Sequence, residues 1–243
     1  MPELPEVETV AATLRASLIG RPLTDWRVRF AGILATPSRT LRRALLAKTL
    51  ADVHRHGKYL LLTFRSETDA AHLMIHLRMT GQLFVASDYR PDKHVHLRLD
   101  FAGLPVFYRD VRKFGRFTLV DDGRRPSAIA HVGPDALEIG LREWHDRVAH
   151  RRAPVKAVLL DQGVAAGLGN IYADEALFRA GIHPTTPPAA LSREELHRLL
   201  RAARSVLRLA IRHGGTTYLT FVDFHGRPGN FRRRLRVYGR TGE

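Results

Sequence analysis

The chain has 243 residues, room for one large core or two compact ones, and its 44% hydrophobic and 26% charged content is that of a globular protein, not a disordered or fibrous one. The absence of cysteine excludes disulfides, thiolate nucleophiles, iron–sulfur clusters and every zinc site built on Cys. A net charge of +15 points to a polyanionic partner. Because the only lysines are Lys48, Lys58, Lys93, Lys113 and Lys156, that charge is carried mainly by arginine, whose planar fork suits phosphate.

After Pro2 and Pro5, the apolar positions Val7, Val10, Ala11, Leu14 and Leu18 recur at helical spacing and Gly20 supplies a stop, so a helix is predicted almost from the N-terminus. From there to about residue 120 the texture is strand-like. Trp26, Val28 and Phe30 alternate, 58–64 reads as a buried run, and Val95, Leu97, Leu99 and Phe101 alternate again. A short helix at 38–47 with Ser38 as its cap interrupts them, and Ala102-Gly103 reads as a hairpin turn. These features predict a β-sandwich or flattened barrel with a helix at its start.

The pattern turns helical beyond about 135, which puts a linker near 130–145. Helices are predicted at 142–150, 154–162, 170–180 and 192–213, the last with Ser192 and Glu195 as a capping box. Arg201, Arg204, Arg208 and Arg212 share one face of it, as either a solvated surface or a contact for nucleic acid. After Gly214-Gly215, residues 222–237 are expected to form a loop and a terminal hairpin. No apolar run approaches the roughly 20 residues of a membrane span, and the N-terminus lacks a signal-peptide layout, so a soluble cytoplasmic protein is expected.

Three constellations carry chemistry. In Met1-Pro-Glu-Leu-Pro-Glu-Val-Glu8 the prolines and acids suit a helix start. Removal of Met1 would also free a secondary amine on Pro2, and such an amine attacking an aldehyde-level carbon gives a cationic iminium that favours elimination. Glu3 is then placed to move protons. In Gly163-Val-Ala-Ala-Gly-Leu-Gly-Asn170, the glycines read as a tight turn between helices, with Asn170 as cap and a phosphate-sized opening at the helix N-terminus, flanked by Arg151, Arg152 and Lys156. Met79 and Phe114 each stand beside a turn glycine, Gly81 and Gly115, and near Arg78 or Arg112. They are either core residues or a wedge that enters a base stack. His94-Val-His96 is expected to meet phosphate or to be a half-buried pair, not to bind metal, because no third ligand is near.

Met1-Pro-Glu-Leu-Pro-Glu-Val-Glu8, Gly57-Lys-Tyr-Leu-Leu-Leu62, His76-Leu-Arg-Met-Thr-Gly81, Arg112-Lys-Phe-Gly115, Gly167-Leu-Gly-Asn-Ile-Tyr172, Gly214-Gly-Thr-Thr217 and Val237-Tyr-Gly-Arg240 together resemble, in order, the bacterial formamidopyrimidine-DNA glycosylases of the Fpg/Nei family. The resemblance implies an α+β fold: an N-terminal β-sandwich with a leading helix (1–135), then a helical helix–two-turns–helix DNA-binding domain (136–243). It implies removal of oxidised purines, 8-oxoguanine and formamidopyrimidines, from duplex DNA by a monomer. Strand cleavage would follow through a Schiff base on the N-terminal proline. By the same resemblance Pro2 is the nucleophile, Glu3 the proton donor and Glu6 a supporting acid. Lys58, His76 and Asn170 grip phosphates, with His94 and Lys156 added as DNA contacts. Met79, Arg112 and Phe114 fill the space left by the flipped nucleotide, Arg112 reading the orphaned cytosine, and the segment after Gly214 covers the extruded base. Leu4 favours this branch over Nei-like enzymes for oxidised pyrimidines, the alternative within the class; a non-catalytic nucleic-acid-binding protein is the alternative outside it. The family's four-cysteine zinc finger, expected after Val-Tyr-Gly-Arg, has no cysteines in this sequence, so no cofactor is expected.

Overall fold

A computed structural model describes residues 1–86, 89–217, 223 and 225–242. Helix α1 (Leu4–Leu18) leads into β1 (Leu23–Val28), α2 (Ser38–Leu45), and strands β2 (Thr49–His56), β3 (Tyr59–Arg65), β4 (Ala70–His76), β5 (Gly81–Val85), β6 (Val95–Phe101), β7 (Leu104–Asp110) and β8 (Arg116–Val120). Two four-stranded antiparallel sheets, ordered β1-β6-β7-β5 and β2-β3-β4-β8, make a sandwich rather than a barrel. The helical half follows with α3 (Leu141–Val148), α4 (Val155–Leu160), α5 (Asn170–Ala180) and α6 (Arg193–Arg212).

The buried run of β3 is explained by packing on both faces. Leu60, Leu62 and Phe64 enter the main sandwich core, while Leu61 packs outside it with Met74 and with Ile129 from the connection between the halves. Ala102 and Gly103, both left-handed at φ 52° and 85°, form the predicted turn between β6 and β7. Helix α6 starts as expected at the Ser192 and Glu195 capping box. Helix α2 does not: Ser38 is its first residue and Pro37 is the cap, with no side-chain bond. The predicted terminal hairpin is also corrected. Among the described residues the tail makes a single antiparallel bridge, Thr216 to Asn230, and then a 3-10 turn at Phe231–Arg234, because Phe231 is drawn into the helical core.

Helix α1 belongs to both halves. Val7, Val10, Ala11, Leu14 and Leu18 lie in the sandwich core, whereas Leu4 lies in the helical core with Trp144, Leu168 and Tyr172. Its first turn is therefore clamped at the junction. Gly167, left-handed at φ 116°, leaves room there that a Cβ would take from the Leu4 side chain.

Candidate active site at the domain junction

Pro2 is buried, and Glu3 is the N-cap residue of α1. The Glu3 side chain reaches away from its own helix: its carboxylate accepts backbone N–H groups from Gly169 (2.7 Å), Ile171 (3.0 Å) and Tyr172 (3.4 Å) at the start of α5. This corrects the expected helix cap. Gly169 is the N-cap and Asn170 the first helical residue, exposed, while a carboxylate from 166 residues earlier satisfies the free N–H groups. The three N–H groups of Gly169, Ile171 and Tyr172 are thereby taken by the protein's own carboxylate. A Cβ at Gly169 would stand 2.5 Å from Glu3 Oε1, so glycine is needed for the approach.

Glu6, one turn along α1, is fully buried. It accepts N–H from Glu3 (2.8 Å) and Thr216 (2.7 Å) and a hydroxyl from Tyr172, which also lies 3.0 Å from Thr216 Oγ1. Burial, and then the charge of Glu3, push the Glu6 carboxyl up to about 7. Burial likewise raises Glu3, against the opposing pull of Lys58 and of the α5 N–H groups. Burial holds the Tyr172 phenol well above its ordinary range, so it remains a donor.

Lys58 stands in the two-residue turn between β2 and β3, buried, with its ammonium depressed by burial and supported by Glu3 and Glu6. Two contacts hold that turn against the helical half. Gly57, left-handed at φ 55°, packs where a Cβ would lie 2.7 Å from the Ala166 Cβ. Buried Asp135 accepts the Gly57 N–H (2.8 Å) and the Arg55 guanidinium, and Arg55 also donates to Glu8 (2.7 Å). His76 pairs across the sheet with Tyr59, their rings edge to face at 4.6 Å. Burial, Arg78 and Lys58 push the His76 imidazole down to about 3, and its Nδ1 accepts the Arg78 N–H (2.9 Å). His76 is thus a neutral ring whose Nε2 carries the hydrogen.

The structure therefore brings Pro2, Glu3, Glu6, Lys58 and His76 together, with Asn170 at the adjoining helix start. Met79, Arg112 and Phe114 form a second group. Met79 and Phe114 are 42% and 46% exposed, which rejects the core alternative, and the Arg112 guanidinium lies 4.7 Å over the Phe114 ring. Lys156 is ion-paired with Asp174 (2.7 Å) one turn along α5. The His94/His96 pair is divided: His96 is buried with Nε2 on the Asp110 carbonyl (2.7 Å), while His94 precedes the strand, half-exposed, and its N–H bonds Asp92. In the arginine stripe, Arg204 donates to the carbonyls of Ala136 (3.3 Å) and Ile139, whereas Arg201, Arg208 and Arg212 face solvent. Residues 218–222 and 224 of the expected covering segment lie outside the described residues. A four-cysteine zinc finger does not fit this sequence, which has no cysteine, and among the described residues no three His, Asp or Glu side chains gather as metal ligands.

Sequence inspection missed Asp110, Asp135, Arg55 and Tyr172 as site-forming groups. Their partners are remote in sequence; the one local signal was an acid ending an apolar strand, as in Leu104–Asp110.

A β-sandwich joined to a helical lobe, with acids and a lysine buried at the junction, is the architecture of a two-domain DNA glycosylase. Residues 1–117 match the formamidopyrimidine-DNA glycosylase N-terminal domain and residues 132–222 the formamidopyrimidine-DNA glycosylase H2TH domain. The chain is 38% identical over 249 residues to the formamidopyrimidine-DNA glycosylase of Desulfitobacterium hafniense, covering 100% of this chain and 90% of that one. It is 42% identical over 253 residues to that of Chloroflexus aurantiacus, covering 100% and 88%. Among solved structures, a Lactococcus lactis Fpg mutant bound to Fapy-dG-containing DNA superposes with TM-score 0.89 at 32% identity over 100% of this chain and 90% of that one. L. lactis Fpg with abasic-site DNA gives TM-score 0.89 at 32% identity, covering 99% and 89%. The chain belongs to the formamidopyrimidine-DNA glycosylase family.

Proposed function

We propose that this protein excises oxidised purines, 8-oxoguanine and formamidopyrimidines, from duplex DNA and then cuts the strand at the resulting abasic site. The observation that carries the reading is Glu3: an acid next in sequence to Pro2, immobilised by three N–H groups of the opposite lobe, with its pKa raised by burial.

With Met1 removed, the Pro2 nitrogen bonds to C1′ of the extruded nucleotide as the C1′–base bond breaks and the base leaves with a proton. Glu3 protonates the ring oxygen as the sugar opens, leaving an iminium between Pro2 and C1′. Loss of a C2′ proton expels the 3′-phosphate, and a second elimination expels the 5′-phosphate. These steps need no cofactor. Lys58, His76 and Asn170 hold the flanking phosphates, with His94 and Lys156 as outer contacts. Met79, Arg112 and Phe114 occupy the vacated stack. The enzyme acts as a monomer on the bacterial chromosome in the cytoplasm.

Borohydride reduction on abasic DNA is expected to cross-link the protein through residue 2. An adduct on a lysine, or undiminished trapping with a blocked N-terminus, overturns the mechanism. Release of oxidised pyrimidines in preference to 8-oxoguanine would assign the Nei-like specificity instead, and the absence of any trapping would leave only binding.

A further inference from the structure

Both turns that carry exposed apolar residues converge on one side chain. Asp110, the last residue of β7, is completely buried, and its carboxylate accepts four donors, none of them cationic. Oδ1 accepts the Thr80 hydroxyl and the Arg112 N–H (3.2 Å), and Oδ2 accepts the Gly115 N–H (2.8 Å) and the Tyr108 hydroxyl (3.1 Å). Thr80 Oγ1 in turn accepts the Arg112 N–H (3.1 Å), which ties the Met79 turn directly to the Arg112–Phe114 turn. Burial and Asp110 keep the Tyr108 phenol above its ordinary range, so it stays a donor.

The backbone of each turn needs such support. Arg78 and Lys113, the residues immediately before Met79 and Phe114, are left-handed at φ 56° and 58° without being glycine. The glycines that follow are required by the same network. A Cβ at Gly81 would come within 2.5 Å of the Tyr108 hydroxyl, and one at Gly115 within 1.7 Å. Asp110 also faces Gly81 across the β5–β7 pairing, and its main chain is held by His94 O (2.9 Å) and His96 Nε2 (2.7 Å). The histidine pair that stood out in the sequence thus braces Asp110 from behind.

We propose that Asp110 is the positioning residue of the wedge. One buried carboxylate sets Met79, Arg112 and Phe114 in a single arrangement, and through it the enzyme's discrimination of the base opposite the lesion. This rests on the reading of those three residues as the group that fills the vacated stack. An acid is required because only a carboxylate offers acceptors on both oxygens. An asparagine there would present an amide N–H₂ to two of the four donors.

The test is excision of 8-oxoguanine placed opposite each of the four bases, per folded molecule, by Asp110→Asn, Thr80→Val, Thr80→Ser and Arg112→Ala. Preference for cytosine is expected to fall about tenfold in Asp110→Asn, with KM for lesion DNA raised and borohydride trapping on abasic DNA less affected. Thr80→Val, which removes only the bridging hydroxyl, is expected to change the preference in the same direction and by less, and Thr80→Ser to restore it. Thr80→Val also keeps the proposal testable should Asp110→Asn fail to fold. If Arg112→Ala alters the preference while Asp110→Asn and Thr80→Val only lower the melting temperature, Asp110 is structural and the proposal is overturned. If Arg112→Ala leaves the preference intact, the wedge reading itself fails and takes the proposal with it.

Discussion

Glu6 offers a pH experiment whose sign and size follow from its surroundings. Its carboxyl moves from an ordinary 4.5 to about 7 on folding, because burial and the neighbouring Glu3 oppose its charge more strongly than Tyr172, Thr216 and the Glu3 N–H favour it. A folded-state pKa above the unfolded value stabilises the fold in full below pH 4.5, and that contribution is lost as the pH rises through about 7. At about 1.4 kcal/mol per pH unit the interval is worth about 3 kcal/mol. For a chain of this size, that corresponds to about 6–12 °C in Tm. Glu6→Gln removes the titration and adds an offset independent of pH. Thermal melts of both proteins from pH 4 to pH 8 should therefore show the wild type losing ground to the variant between pH 4.5 and 7 and running parallel to it outside that window. The Tyr172 hydroxyl, placed between Glu6 and Thr216, can accept from the protonated acid and pass its own hydrogen to Thr216 Oγ1, so either state is bonded. A difference between the two proteins that does not vary with pH, or a wild type that gains stability over this window, would refute the argument.

Other substitutions probe separate parts of the site. Lys58→Ala should lower the slope of log affinity for DNA against log salt by about one, measured by fluorescence anisotropy; an unchanged slope would remove Lys58 from the phosphate contacts. Phe114→Ala should leave Tm nearly unaltered, since the ring is 46% exposed, whereas a buried Phe costs about 3–5 kcal/mol. The same variant should slow base excision more than cleavage of a preformed abasic site, and a large fall in Tm with normal excision would return Phe114 to the core. Asp135→Asn leaves the Arg55 guanidinium with one carboxylate, Glu8, beside the Gly57 carbonyl and should cost about 3 kcal/mol in denaturant unfolding. It should also weaken trapping, because the Lys58 turn loses its anchor; an unaffected protein would show that the pair does not hold the turn.

Elements whose signals are local could be read from the sequence. The period of α6, its Ser192 and Glu195 box, the 170–180 helix and the Ala102-Gly103 turn each depend on residues a few positions apart. Where the deciding partner is distant, sequence inspection went astray. Asn170 has the chemistry of a helix cap, yet the cap is provided by Glu3. Residues 222–237 have the polarity of a hairpin, yet Phe231 is held by the helical core against Tyr172 and His213. The candidate site residues stood out because they cluster in short segments. Asp110, Asp135 and Tyr172 did not, because a buried acid or phenol looks like any other polar residue until the donors facing it are known.

On the proposed reading, the occupation of the α5 N-terminus by Glu3 limits how DNA phosphates can be met near the reacting centre. A helix start is an anion site because its first N–H groups lack partners, and here the N–H groups of Gly169, Ile171 and Tyr172 are bound to a carboxylate of the protein itself. A phosphate cannot share them without displacing Glu3 and separating two lobes that also meet through Leu4, Gly167 and the Arg55–Asp135 pair. On that reading, contact comes instead from the Lys58 ammonium, the neutral His76 Nε2–H and the exposed Asn170. Of these only Lys58 carries charge, so the salt dependence of binding at the centre should be small and should follow that one residue, with the remaining electrostatic attraction supplied by arginines elsewhere on the surface. The same bonds suit Glu3 to the proton transfer proposed for it. They hold the carboxyl in one place beside Pro2, while burial raises its pKa against their pull and that of Lys58, the direction a proton donor needs.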